Sequence, residues 1–193
     1  MRLAEIEHGD SVAHRLLIRA ISRLTGYRLP DAARVAFYDR GFAGPALGRW
    51  TQKAMRGPST WTVAERELMA AMVASWNSCP FCVGAHRAIS VRGMDPEVVD
   101  AVLADFRTAP IDERLRAALV FLERMTKDPD ELSVADARVA LGAGVTAAEL
   151  EDAAAVAAVF AVITRNANAL DFEIPTAEEF DRAAGMLLRR GYS

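Results

Sequence analysis

The stretch ERELMAAMVASWNSCPFCVGAH, residues 65–86, is the part of this sequence that decides its fold and its chemistry. It contains both cysteines of the protein, Cys79 and Cys82, and one of its three histidines, His86. Glu67 lies near the start of the apolar run that precedes the cysteines. A dithiol, an imidazole and a carboxylate are the parts of a thiol redox site. Their concentration in one stretch favours a functional site over two cysteines that are merely buried apolar residues.

The residues on either side of the cysteines predict two helices. Residues 62–65, TVAE, form a capping box, so a helix is expected to begin there and to extend over 62–76. Residues 77–78, Asn-Ser, interrupt this helix and are expected to cap a second one over 79–91, in which Pro80 fits the first turn. Both cysteines would then lie in that first turn, where backbone N–H groups and the helix dipole stabilise a thiolate.

The rest of the chain also has helical patterning. Ala, Leu, Met, Glu and Arg are frequent, and alternating β-branched strands bounded by turn residues are missing, so the chain is predicted to be all-α. Further helices are predicted at 11–24, 31–39, 46–55, 95–106, 112–126, 133–142, 146–168 and 175–190. Residues 1–58 are predicted to form an N-terminal helical arm, packed on a redox core of residues 59–193 that ends in the last of these helices.

One predicted helix is apolar on every side. Its centre, residues 153–163, reads AAAVAAVFAVI. A helix of this kind is buried all round, and a chain of 193 residues has a limited interior in which to bury it. The sequence therefore predicts a homo-oligomer with this helix at or near the interface.

Composition and charge exclude several classes of function. The formal net charge of −3 and the pI near 5.7, without a basic block, argue against a nucleic-acid-binding protein. No apolar stretch reaches the roughly 18 residues of a membrane span, and the first ten residues do not resemble a secretory signal. A cytoplasmic, reducing location is therefore expected, where a C-x-x-C is redox-active or metal-binding rather than structural.

The spacing of the four candidate site residues suggests a mechanism. His86 lies one helical turn beyond Cys82, so its imidazole can take the thiol proton or stabilise the thiolate. Glu67 on the preceding helix is a natural partner for the other imidazole nitrogen. The Cys82 thiolate could attack a peroxide and become a sulfenic acid, with which Cys79 would condense to a disulfide. An external dithiol must then restore the pair.

Residues 62–86 resemble the signature of the AhpD-like alkylhydroperoxidases of the carboxymuconolactone decarboxylase superfamily. The longer stretch of residues 57–86, GPSTWTVAERELMAAMVASWNSCPFCVGAH, resembles its peroxidase-related members in particular. That signature is a Glu, an apolar helical run, a C-x-x-C and a His four residues after the second Cys. Residues 114–170 resemble the second half of the same unit, so the resemblance covers roughly residues 58–175.

The resemblance implies an all-helical fold, a homo-oligomer, and no metal or flavin. It implies that Cys82 is the peroxidatic thiol and Cys79 its disulfide partner, with His86 and Glu67 as a proton relay. The reductant would be an external dithiol of the lipoyl or thioredoxin type. The best-studied alkylhydroperoxidases also carry a His directly before the second Cys. Here that residue is Phe81, a departure that bears on peroxidase activity and on the reducing partner.

Four alternatives remain from the residues themselves. A zinc site could use the same four side chains, although the spacing differs from that of a common zinc finger. A thioredoxin-like fold would need a strand before the C-x-x-C, whereas a helical run precedes it here. The decarboxylase branch of the superfamily does not depend on a C-x-x-C, so the two cysteines argue against it. A redox sensor would form the same disulfide without turnover. Four aromatic residues could line a peroxide pocket but are interpreted as core: Trp61, Trp76, Phe81 and Phe160.

Overall fold

The computed structural model describes residues 1–38 and 44–192 and confirms the all-α prediction. Within these ranges the chain forms eleven α-helices, a short 3-10 helix at Pro129–Glu131, and no strand. The α-helices are α1 (Ala4–His8), α2 (Val12–Thr25), α3 (Asp31–Tyr38), α4 (Pro45–Arg56), α5 (Val63–Trp76), α6 (Pro80–Ser90), α7 (Pro96–Asp105), α8 (Glu113–Lys127), α9 (Val134–Gly142), α10 (Ala147–Leu170) and α11 (Ala177–Arg190).

Each predicted helix is present, with ends that differ from the prediction by at most two residues. Asp39, the last residue of one predicted helix, lies outside the described residues. The helix α1 was not predicted, because its five residues are too few to show a helical apolar period. None of the described helices combines the length and the apolar character that crossing a membrane requires.

The helix α5 lies at the centre of the molecule. It begins with the predicted capping box, in which the Thr62 hydroxyl accepts from the Glu65 N–H and the Glu65 carboxylate accepts from the Thr62 N–H. From Leu68 to Ala74 every residue is buried. The helix packs against α4, α6, α7, α8 and α10. A side chain on α5 that carries a charge therefore needs partners from these neighbours.

The helices α5 and α6 run antiparallel as a hairpin. The Ser90 hydroxyl near the end of α6 donates to the Ala64 carbonyl near the start of α5, at 3.0 Å. This arrangement brings the middle of α6 level with the first half of α5, so His86 is placed opposite Glu67.

The apolar helix α10 is covered largely within the single chain. It packs against α4, α5 and α8, and residues such as Val156, Val159 and Phe160 are fully buried there. Other residues of the segment 153–163, including Ile163, are half-buried. The apolar residues of α10 can therefore be buried within a single chain, and a homo-oligomer stays a prediction.

Three residues of the N-terminal part of the chain contact the end of α10 and the segment that joins it to α11. Arg28 forms an ion pair with Glu173 at 3.0 Å and with the fully buried Asp31 at 2.7 Å. The Asp31 carboxylate accepts from the Glu173 N–H at 2.8 Å, and the Arg2 N–H donates to the Leu170 carbonyl at 2.8 Å. In contrast, α4 contributes buried side chains to the main core. A domain boundary at residue 58 stays a prediction.

Candidate functional site

The turn between α5 and α6 positions the two cysteines. Asn77 ends α5, Ser78 has a left-handed backbone with φ 52°, and Cys79 is the N-cap of α6 with φ −110° and ψ 86°. The prediction that Asn77 and Ser78 cap the second helix is therefore wrong. Because the ring of Pro80 disfavours a helical backbone in the residue before it, Cys79 stays outside the helix and only Cys82 lies in its first turn.

Both cysteines are free thiols with 1% of their surface exposed. A hydrogen bond from the Cys82 thiol is the largest influence on the pKa of Cys79, and the Cys82 backbone N–H acts in the same direction. Together they outweigh burial, which raises this pKa, and they lower it to about 7. The Cys79 sulfur makes no capping hydrogen bond of standard geometry, so the neighbouring thiol matters more than the helix end. The contact with Cys79, together with burial, raises the pKa of Cys82. The pair therefore loses its first proton near neutral pH, and in this arrangement Cys79 carries the charge.

His86 and Glu67 form a direct hydrogen bond, as their placement in the sequence suggested. His86 Nδ1 lies 2.6 Å from Glu67 Oε2, and both side chains are buried. Burial acts to raise the pKa of Glu67, but His86 and Arg56 outweigh burial and hold that pKa below its usual value. Since Glu67 is then a carboxylate, the Nδ1–H of His86 donates to it, which leaves Nε2 free to exchange a proton.

Two further residues bind Glu67, and neither was expected from the sequence. Arg56, the last residue of α4, forms an ion pair with Glu67 Oε1 at 2.7 Å. The Tyr192 hydroxyl donates to both carboxylate oxygens, at 2.9 and 3.0 Å. Arg56 also stacks over the Tyr192 ring, with 4.9 Å from Cζ to the ring centroid. Glu67, with no exposed surface, thus has its charge compensated by Arg56 and its lone pairs used by three donors.

Cys82 and His86 lie one helical turn apart on α6, but no hydrogen bond between described residues joins the two thiols to the His86–Glu67 pair. Between the described side chains no such bond links His86 to either cysteine. The imidazole packs edge-on against Phe160 at 4.4 Å between ring centroids. Among the described residues, no three His, Cys, Asp or Glu side chains lie close enough together to bind one metal ion. The four residues of the zinc alternative therefore do not form a zinc site in this arrangement.

Aromatic residues cover the cysteines. Phe81 packs edge-on against Phe172 and Phe180, at 5.1 and 6.0 Å between centroids, and all three lie in the apolar cluster that contains both thiols. Phe180 is on α11, and Phe172 is on the segment before it. Phe81 and Phe160 are buried core residues, as expected, and they also contact the site residues. Trp61 is a fully buried core residue whose indole donates to the Glu149 carbonyl.

A close approach at Gly84 lets α11 lie on α6. A Cβ at Gly84 would lie 2.5 Å from Cε2 of Phe180. We therefore expect Gly84→Ala to push Phe180 and α11 outward, to destabilise the protein by about 1–3 kcal/mol, and to speed alkylation of the buried thiols. Urea unfolding and iodoacetamide labelling measure the two effects.

Gly185→Ala on α11 is the matched control for this change. Its added methyl group meets no atom within 4 Å, so this variant is expected to keep the slow labelling of the wild type. Equal labelling rates for Gly84→Ala and the wild type would show that α11 does not limit access to the thiols.

Solved structures with this architecture come from several proteins. An uncharacterized peroxidase-related protein from Silicibacter sp. TM1040 is 24% identical, with a TM-score of 0.75 over 93% of each chain. An AhpD-core, peroxidase-related protein from Ralstonia eutropha JMP134 is 26% identical, with a TM-score of 0.71 over 90% of each chain. The debrominase Bmp8, in a variant complexed with 2,3,4-tribromopyrrole, is 20% identical, with a TM-score of 0.69 over 92% of this chain and 91% of that one.

These matches confirm the resemblance to AhpD-like, peroxidase-related proteins at the level of structure, and they confirm the AhpD-like helical fold. They extend well beyond residues 58–175, on which the resemblance in sequence rested, because they cover nine-tenths or more of the chain. No protein-family model and no curated protein matches this sequence.

Proposed function

We propose that the protein is a thiol-dependent hydroperoxide reductase, in which the Cys79–Cys82 dithiol reacts and His86 and Glu67 relay the proton. One observation carries the proposal: two thiols in contact stand at the start of the helix that holds an imidazole bonded to a buried carboxylate. The Cys82 thiol lowers the pKa of Cys79 to about 7, which favours a thiolate there. The 26% identical AhpD-core structure supports the same reaction class. Perturbed ionisable groups clustered in this way are typical of catalytic sites.

The reaction proceeds in two balanced steps. The Cys82 thiolate attacks the outer oxygen of the hydroperoxide and the O–O bond breaks. The sulfur becomes a sulfenic acid, and the leaving alkoxide becomes an alcohol by taking from His86 the proton that the dithiol gave up on its first ionisation. The Cys79 thiol then attacks the sulfenic sulfur and water leaves, which gives a disulfide. Two thiols and one hydroperoxide thus yield one disulfide, one alcohol and one water.

Cys82 is proposed as the attacking sulfur because it lies one helical turn from His86 on the same face of α6. In the resting pair the Cys82 thiol is the donor and the Cys79 sulfur carries the charge. Transfer of that shared proton to Cys79 produces the Cys82 thiolate, and it leaves Cys79 protonated until the second step.

Oxidation of the reduced protein under anaerobic conditions tests the proposal. One equivalent of hydrogen peroxide or of an organic hydroperoxide is expected to remove two thiols per chain, without a covalent dimer, because the two thiols of one chain are in contact. Thiol counting and non-reducing electrophoresis measure this, with the double variant Cys79→Ser/Cys82→Ser as the blank. Intermolecular crosslinks as the main product would contradict an intramolecular disulfide.

A redox sensor is the second candidate, and the covered thiols favour it. Both sulfurs are almost fully buried beneath α11. Phe81 stands where the best-studied alkylhydroperoxidases, which this sequence resembles, carry a histidine. A sensor would form the disulfide once and would not turn over. Steady-state peroxide reduction with a supplied dithiol of the lipoyl or thioredoxin type separates the two. The proposed setting is a reducing, cytoplasmic compartment, with the chain assembled as a homo-oligomer.

A further inference from the structure

The segment that follows α11 brings a tyrosine into the relay. Gly191 has a left-handed backbone with φ 72°, and its N–H donates to the Leu187 carbonyl at 2.9 Å. The N–H of Tyr192 then donates to Oε1 of Gln52 on α4, at 2.7 Å. The chain is thereby turned inward, so the half-buried Tyr192 directs its hydroxyl group at Glu67.

The Tyr192 hydroxyl is a hydrogen-bond donor in this site. It lies 2.9 and 3.0 Å from the two oxygens of Glu67 and 3.5 Å from Nδ1 of His86. Nδ1 already donates to Glu67, so only the carboxylate can accept the phenolic proton. Burial and the charge of Glu67 raise the pKa of Tyr192 well above its usual value, so the hydroxyl keeps that proton.

We propose that Tyr192 is a positioning residue that sets, through Glu67, the pH at which the His86–Glu67 pair takes up a proton. The inference rests on the proposed function, because it concerns the same relay. A carboxylate that accepts from a tyrosine is a weaker acceptor for the imidazole N–H and stabilises a positive imidazole less. The hydroxyl therefore weakens the support that Glu67 gives to a charged imidazole, and the neutral imidazole is the form that accepts a thiol proton.

The other groups around this pair are unchanged if only the hydroxyl is removed. Arg56 is contributed by α4, and Arg66, which interacts with Arg56 and Glu67, belongs to α5. Asp152 of α10 interacts with Arg66 from farther out, and Phe160 of α10 presents an uncharged ring to His86. Tyr192→Phe keeps the ring beneath Arg56 and beside the imidazole, so the substitution removes the hydroxyl's bond to Glu67 and leaves the ring packing in place.

The test is the pH dependence of His86 in Tyr192→Phe. Ring-proton NMR signals of His86 are followed against pH, with His8 and His14 in the N-terminal helices as internal references. In the variant we expect the His86 transition to move to higher pH by roughly one unit, because the freed carboxylate favours a charged imidazole. A residue that only holds the fold would lower the rate of thiol oxidation without moving the His86 transition.

Tyr38→Phe, at an exposed tyrosine on α3, is the control and should leave the His86 transition in place. Gly191→Ala is the second variant, since it strains the left-handed turn and crowds Gln52 while it retains the hydroxyl. It is expected to shift the His86 transition in the same direction by less. A His86 transition that is unchanged, or moves to lower pH, in Tyr192→Phe overturns the inference. A shifted transition in a protein that does not reduce peroxide supports the inference and overturns the proposed function instead.

Discussion

Cys82→Ser is expected to abolish peroxide reduction, whereas Cys79→Ser is expected to keep one round of attack and to stop at a sulfenic acid. The reason is that a serine hydroxyl at residue 82 cannot attack the O–O bond, while the absence of the Cys79 sulfur removes only the thiol that condenses with the sulfenic acid. Single-turnover oxidation, with dimedone trapping and mass spectrometry, distinguishes the two variants.

The pH dependence of the same experiment reports on the dithiol. In the wild type the rate should rise through about pH 7, the pKa of Cys79 when the Cys82 thiol supports its charge. In Cys79→Ser that shared ionisation is absent and the Cys82 thiol is still buried, so the rate should rise only at higher pH. If Cys79→Ser loses the first oxidation while Cys82→Ser keeps it, the roles are reversed. The lowered pKa of Cys79 would then identify the attacking sulfur.

Glu67→Gln is expected to destabilise the protein by roughly 3–5 kcal/mol, because it leaves the Arg56 guanidinium buried without a counter-charge. Arg56→Gln should cost a similar amount, since it leaves the Glu67 carboxylate buried. The double variant should lose much less than the sum of the two single changes, because neither charge then remains unpaired. Urea unfolding of all three variants measures the coupling.

Two further variants separate stability from catalysis. His86→Ala removes the proposed base without unpairing a charge, and it should slow thiol oxidation by about 10²–10⁴-fold. Asp100→Asn breaks the exposed Arg87–Asp100 pair, whose nitrogen–oxygen distances are 2.6 and 2.7 Å, and it should change stability by about 1 kcal/mol or less.

Additive losses in the Glu67 and Arg56 variants would show that the two side chains do not act as a pair.

The helices were predictable because their signals are local. The capping boxes at Thr62 and Thr146 and the apolar periods lie within single segments, and the structure retains them. The bond between Glu67 and His86 was also predictable, since both residues lie in one helical hairpin.

The rest of the site depends on contacts that leave no local pattern. Tyr192 is 125 residues from Glu67, and Arg56 sits at the end of a helix whose packing on α5 is a tertiary contact. The position of Cys79 outside the helix could have been read from Pro80, but the apparent cap at Asn77 and Ser78 competed with that signal.

Because α11 covers the thiols, a movement of this helix would have to precede each reaction of the sulfurs. Since both sulfurs are 1% exposed, we expect a reagent to reach them only while the helix is separated from α6. At high reagent concentration the rate should then level off at the rate of opening. A small peroxide needs only a narrow breach, whereas a lipoyl arm or a protein reductant needs a wide one. Oxidation by a small peroxide would then need only a small movement of α11, whereas reduction of the disulfide would need a larger and rarer one. The oxidised protein would therefore persist longer than the reactivity of an exposed disulfide predicts.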